Sequence, residues 1–162
     1  MREILFRGKP INKADYTLYK GLYKSNVINE GFVYGSLIVK NKKCYICIGV
    51  AEAIQNSLIN NAIVTLIEVI PETVGQYTGI TDDNGKRIFR GDILGITNDD
   101  PDYDYITKVY LDCNTLCVDV QGQDYDCTSI GFAIGIWDDE CDRLEVIGNI
   151  YDNPEMLEVE NA

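Results

Sequence analysis

The sequence predicts a mainly β protein in two parts. An N-terminal β unit covers residues 1–72, and a small SH3-like barrel covers 73–162 and ends in a short helical turn. Three observations lead there. Ile, Val, Tyr and Thr fill strand-length runs, and these residues suit a pleated, half-buried surface. Turn residues interrupt the runs at short intervals. The chain has 162 residues, 46% hydrophobic and 25% charged, enough for one ordinary domain or two small β modules.

In the first part, residues 2–7 read as a strand. Residues 32–40 and 44–50 read as two more, joined by the polar turn Asn41-Lys42-Lys43. That pair is a hairpin, with Cys44, Ile46, Ile48 and Val50 on one face of its second arm. Residues 51–61 break the alternation. Ile54 and Leu58 stand at i and i+4, which allows one or two helical turns or a long loop. Residues 63–70 are again strand-like. Pro71 stops them, because proline cannot donate to a ladder, and the internal boundary falls near 71–74.

The second part opens with a strand-like run over 73–81. Asp82-Asp83-Asn84-Gly85 and then residues 86–90 follow. Asn-Gly between apolar runs predicts a hairpin with a type I′ turn, both central residues at φ > 0. Gly79, Gly85 and Gly91 fall at turns, where glycine relieves the φ constraint. Gly91-Asp92-Ile93 is read as the entry turn of a small barrel, its aspartate tying the turn and its isoleucine opening a strand. Residues 98–104 form an acidic loop. Strands are expected at 105–112, 115–121, 130–137 and 144–150, with a turn at Asp138-Asp139-Glu140 that Asp138 could cap. Asn153-Pro154-Glu155 supplies an N-cap, a proline at the first helical position and an acidic first turn, so a short helix or a single 3₁₀ turn ends the fold.

Charge narrows the function classes. Lys and Arg number 14, Asp and Glu 26, giving a formal charge of −12. Bulk electrostatics then oppose direct binding of a nucleic-acid backbone. The chain has no histidine, which excludes Ser-His-Asp and Cys-His mechanisms and His-ligated metal sites. Charges interrupt the first ten residues before an apolar secretion core can form, and no apolar run reaches membrane-spanning length. A cytoplasmic protein is expected, with no membrane partner.

Six cysteines are present, and in a reducing compartment they stay thiols. Cys44 and Cys47 have C-x-x-C spacing, but on a strand they point to opposite faces and cannot share a metal without distortion. Asp82 to Gly85 fails as an EF-hand loop. With Gly85 at loop position 6, position 1 is Ile80 and position 12 is Gly91, so the first ligand and the bidentate glutamate are missing. Asp138, Asp139, Glu140 and Asp142 form an acidic cluster read as a solvated turn. Tyr103, Tyr105 and Tyr110 are read as cross-strand and core aromatics, since base stacking would need a basic groove. The candidate binding surface is the acidic loop, with Asp99, Asp100, Asp102, Tyr103 and Asp104 as its residues. No catalytic residue, metal ligand or cofactor is expected.

Four stretches resemble the YopX family of phage and prophage proteins. They are residues 1–9, the aromatic-glycine strand Gly31-Phe32-Val33-Tyr34-Gly35-Ser36-Leu37, the long run over 72–93, and residues 145–155. They occur in the family's order and span nearly the whole chain. Three departures stand out: a longer link over 10–30, an insertion or altered hairpin at 51–62, and Arg90 where an acidic residue is more usual. The resemblance implies a mobile-element origin, a β-rich fold and expression in a bacterial host. It carries no reaction, cofactor or catalytic residue. The expected function is a non-enzymatic protein-interaction module that binds a host or phage protein or forms a homo-oligomer. Two alternatives are an acidic mimic that inhibits a DNA-binding protein and an enzyme using carboxylates or a divalent cation.

Overall fold

The computed structural model describes residues 4–14, 17, 28–51, 63–120, 128–140 and 143–158. The fold is mainly β, as the sequence predicts. The chain divides into two compact units, one ending at Gln76 and the other beginning at Tyr77. The alternative helical turn or loop expected at 51–61 lies outside the described residues from 52 onward, as do residues 2–3 of the first expected strand and Asp142.

The first unit holds β1 (Phe6–Gly8), β2 (Ile28–Asn29), β3 (Phe32–Lys40), β4 (Lys43–Ala51) and β5 (Ile63–Val69). All their pairings are antiparallel, in the order β5–β4–β3–β1, with β2 also on β3. Asn41 and Lys42 sit at φ 53° and 65°, the left-handed pair that a two-residue hairpin turn demands. Leu37 faces Ile46, which faces Ile67; Val39 faces Cys44, which faces Val69. Leu37, Cys44, Ile46, Ile67 and Val69 of these rows, with Ile28, Val33 and Ile48, build the core, while Val39, near the hairpin end, is exposed.

The sheet closes on itself. Beyond Gly8 the chain continues to the far edge, where Pro10 bridges Val69. The Ile70 N–H donates to the Lys9 carbonyl at 2.8 Å, and the Ile11 N–H donates to the Glu68 carbonyl at 3.1 Å. Residues 6–11 therefore meet both β3 and β5 and make a small barrel, which removes an open edge. The Lys9 N–H also donates to Thr73 Oγ1 at 2.9 Å, in the 3₁₀ turn Pro71–Thr73. β3 pairs with β1 over its first half and with β4 over its second. Gly35 sits at the changeover, and a Cβ there would lie 1.9 Å from the Cys47 carbonyl oxygen. Only glycine lets the two strands pass that closely.

β6 (Gly75–Thr81) begins in the first unit, pairing with β1, and ends in the second, pairing with β7 (Arg87–Phe89). The second unit adds β8 (Asp92–Thr97), β9 (Tyr105–Lys108), β10 (Tyr110–Asp112), β11 (Thr115–Val118), β12 (Thr128–Ser129), α1 (Ile130–Glu140) and β13 (Arg143–Asn149). Its ladders run β13–β8–β9 and β10–β11–β12. Leu144 opposes Ile96 and Val146 opposes Leu94. These four side chains join Ile88, Val109, Val118, Ile130, Ala133 and Trp137 in one core.

The structure departs from the sequence expectation at several elements. Residues 130–137, expected as a strand, lie in α1, and the expected turn at 138–140 is the end of that helix. Ile130, Ala133 and Trp137 are buried and Ile134 packs beside them, while Phe132 is 65% exposed. That is the i, i+3, i+4, i+7 stripe of a helix. The expected strand 105–112 breaks at Val109, which leaves β9 to exchange hydrogen bonds with Gly91 and Asp92. The strand expected over 115–121 ends at Val118. The turn at Asp82 to Gly85 is not type I′, because only Gly85, at φ 77°, is left-handed. Asp82 accounts for the difference, since its carboxylate gathers the N–H groups of Asn84 and Lys86 at 3.0 and 2.8 Å. The terminal 3₁₀ turn Pro154–Leu157 forms, but Asn153 makes no side-chain cap. Its Oδ1 accepts from the Asn149 N–H at 3.3 Å instead.

Candidate functional site

The aspartates of the long run over 72–93 are engaged with the main chain. Asp82, 5% exposed, accepts from Asn84 and Lys86 through Oδ1 and from the Val146 N–H through Oδ2 at 2.9 Å. Asp83 Oδ2 accepts from the Leu144 N–H at 2.7 Å. The two aspartates thus anchor β13. Asn84 Nδ2 donates to Glu145 Oε1 at 3.0 Å, and Arg143 pairs with Glu145 at 3.4 Å. Asp92, 1% exposed, accepts from the Phe89 N–H at 2.7 Å. Gly91 stands at φ 86°, and a Cβ there would come within 3.0 Å of the Tyr151 ring. Asn149 accepts from the N–H groups of Tyr151 and Asp152, both at 3.1 Å. These residues fix turns.

The acidic loop is different, because its carboxylates reach solvent. Asp99, Asp100, Asp102 and Asp104 are all exposed. The backbone beneath them is braced. Asp104 Oδ1 accepts from the Asn98 N–H at 2.7 Å. Asp100 Oδ1 accepts from the Asp102 N–H at 3.1 Å and caps the 3₁₀ turn Pro101–Tyr103, which Tyr103 ends. The Asp104 N–H donates to the Pro101 carbonyl at 3.1 Å. The five predicted residues therefore share one short, fixed segment. Their aromatic neighbours turn elsewhere: Tyr105 OH accepts from Trp137 Nε1 at 2.7 Å, and Tyr110 OH donates to Asp119 at 2.7 Å.

A second surface escaped the sequence reading. The β3–β4 turn carries Lys40, Lys42 and Lys43, all exposed. Lys40 stands directly opposite Lys43 in the ladder. Lys43 Nζ lies 2.9 Å from Glu68 Oε1. That hydrogen bond, then the charge of the same carboxylate, with Tyr45 adding to it, holds the Lys43 pKa above the ordinary lysine value. Ile38, Val39 and Leu66 are 40%, 63% and 45% exposed beside it. The signal in the sequence was the lysine run itself, which a turn reading absorbs as solubility. Among the described residues, no group of three or more Cys, Asp or Glu side chains is placed to hold a metal ion. No described helix is long and apolar enough to cross a membrane.

The arrangement defines a class: a two-unit β protein whose signature aspartates, asparagine and glycine lock turns. The family model described as YopX protein matches residues 22–158, so the chain belongs to the YopX family. A 76-residue stretch is 37% identical to the SPbeta prophage-derived uncharacterized protein YopX of Bacillus subtilis (strain 168). That stretch covers 46% of this chain and about half, 52%, of the relative's length. The X-ray crystal structure of protein yopX from Bacillus subtilis is similar in fold, with a TM-score of 0.51 at 20% identity over 96% of this chain and 98% of that one.

Proposed function

We propose that this protein is a non-enzymatic protein-interaction module of mobile-element origin, acting in the bacterial cytoplasm through its acidic loop. The observation that carries the reading is the bracing of residues 98–104 by Asp100, Asp104 and the Pro101 carbonyl. A loop fixed before binding loses little conformational entropy when a partner docks. Exposed carboxylates on such a loop suit a basic partner and speed its approach.

A second reading is favoured by the charge of −12. A chain this acidic can imitate the phosphate backbone and occupy a DNA-binding protein. Both readings meet one experiment. The purified protein is used as bait in bacterial lysate and eluted in salt steps, with captured proteins identified by mass spectrometry. A basic DNA-binding protein released at moderate salt supports the mimic, because exposed charge pairs are screened. A partner that resists salt supports an ordinary interface. In the decisive variant, Asp99, Asp100, Asp102 and Asp104 are all replaced by Asn. The amide oxygens can still accept the loop's own hydrogen bonds, so charge is lost while the brace is kept. Capture that survives this variant refutes the role of the loop.

A further inference from the structure

We propose that the tip of the β3–β4 hairpin docks a second copy of this chain through that copy's 98–104 loop. The inference rests on the reading of the loop as a binding surface and names its partner. Lys40 and Lys43 face each other across the last pair of the ladder, with Lys42 in the turn between them. Like charges directly opposite on a sheet repel. Glu68 offsets part of that repulsion through Lys43. An anionic partner at Lys40 and Lys42 would offset more. Exposed Ile38 and Leu66 lie on the same face of the sheet as Lys40 and Lys43 and supply apolar area to cover.

Charge selects the occupant. In a chain with 26 acidic and 14 basic residues, nucleic acid is repelled in bulk. Four exposed aspartates on one braced segment give the local complement to the lysine tip, and every copy of the chain carries both surfaces. The contact joins two different patches. It is therefore heterologous, and the bound pair keeps one free hairpin tip on one copy and one free loop on the other, for further growth or for ring closure.

The test follows the mass of the full chain by sedimentation over a range of concentrations, with folding of each variant checked by circular dichroism. Mass should rise with concentration, and the association should weaken roughly tenfold from low to high salt. Lys40→Glu with Lys42→Glu should leave a monomer, as should Asp99→Lys with Asp102→Lys. Mixing the two variants should restore association, because each then offers a surface of opposite sign to the other. A wild-type chain that is monomeric at every concentration overturns the proposal, and so does a mixture that stays monomeric. If the lysine variant associates like wild type yet still captures a lysate partner, the hairpin proposal falls and the loop reading stands. If the Asn variant of the loop still captures that partner, the loop reading falls.

Discussion

The carboxylate of Asp82 lies 2.9 Å from the Val146 N–H, across 64 positions of sequence. The other oxygen of the same group holds Asn84 and Lys86. One buried side chain therefore shapes a turn and fixes the strand that packs against it. Replacing Asp82 with Ala leaves these donors without their acceptor. The expected loss is about 3 kcal/mol of folding stability. Asp83→Ala removes a single bond at an exposed position and should cost about 1 kcal/mol. Urea denaturation gives both values from shifted midpoints at constant slope. Equal costs would contradict the anchoring role given to Asp82.

Two glycines should differ in how they fail. Gly35→Ala drives a Cβ into the Cys47 carbonyl, and backbone cannot swing away, so the loss should exceed about 3 kcal/mol. Gly91→Ala imposes a left-handed φ and presses on the Tyr151 ring, for about 1–3 kcal/mol. Adding Tyr151→Ala to Gly91→Ala should recover the part due to contact. A strictly additive double variant would show that only the backbone angle matters there.

Trp137 is the only tryptophan in the chain, and its indole donates to Tyr105 OH. Tyr105→Phe should cost about 1 kcal/mol and shift the tryptophan emission. If residues 130–137 formed a strand instead of α1, the emission would not respond.

Lys43 should titrate above the ordinary lysine value because Glu68 favours its charged form. Its pairing supports the fold at pH below the unfolded lysine value and is lost as pH rises through the raised one. Glu68→Gln should bring the titration back down, as read by NMR at the lysine Cε. The pair is exposed, so the change should show in the titration rather than in melting temperature.

The β3–β4 hairpin was legible because alternation and a polar two-residue turn coincide there. The terminal turn was legible through Asn153-Pro154, although Asn153 bonds Asn149 and leaves the cap empty-handed. α1 was misread because Ile130, Ile134 and Trp137 suit a strand by residue type, and glycines at 131 and 135 weaken a helix reading. Only the core packing of Ala133 and Trp137 decides the period. Barrel closure was hidden for another reason: the bond from Ile70 to Lys9 joins distant residues through main-chain atoms that carry no side-chain signature. In the acidic loop, the five residues were visible as a cluster, but the brace from Asp104 to Asn98 was not.

Residues 6–11 also set an order of events. During synthesis they leave the ribosome well before β5, and the Lys9–Thr73 bond spans 64 positions. At roughly 5–20 residues per second, the wait lasts several seconds. The β3–β4 hairpin can form within microseconds of its own emergence. For about the last third of that interval, after Ala51 has emerged, the nascent chain carries a finished hairpin with unfastened neighbours, and open strand edges are where chains stick to one another. The clasp made by Lys9, Pro10 and Ile11 is therefore also a timer: it ends the exposure only once residues 68–73 have arrived.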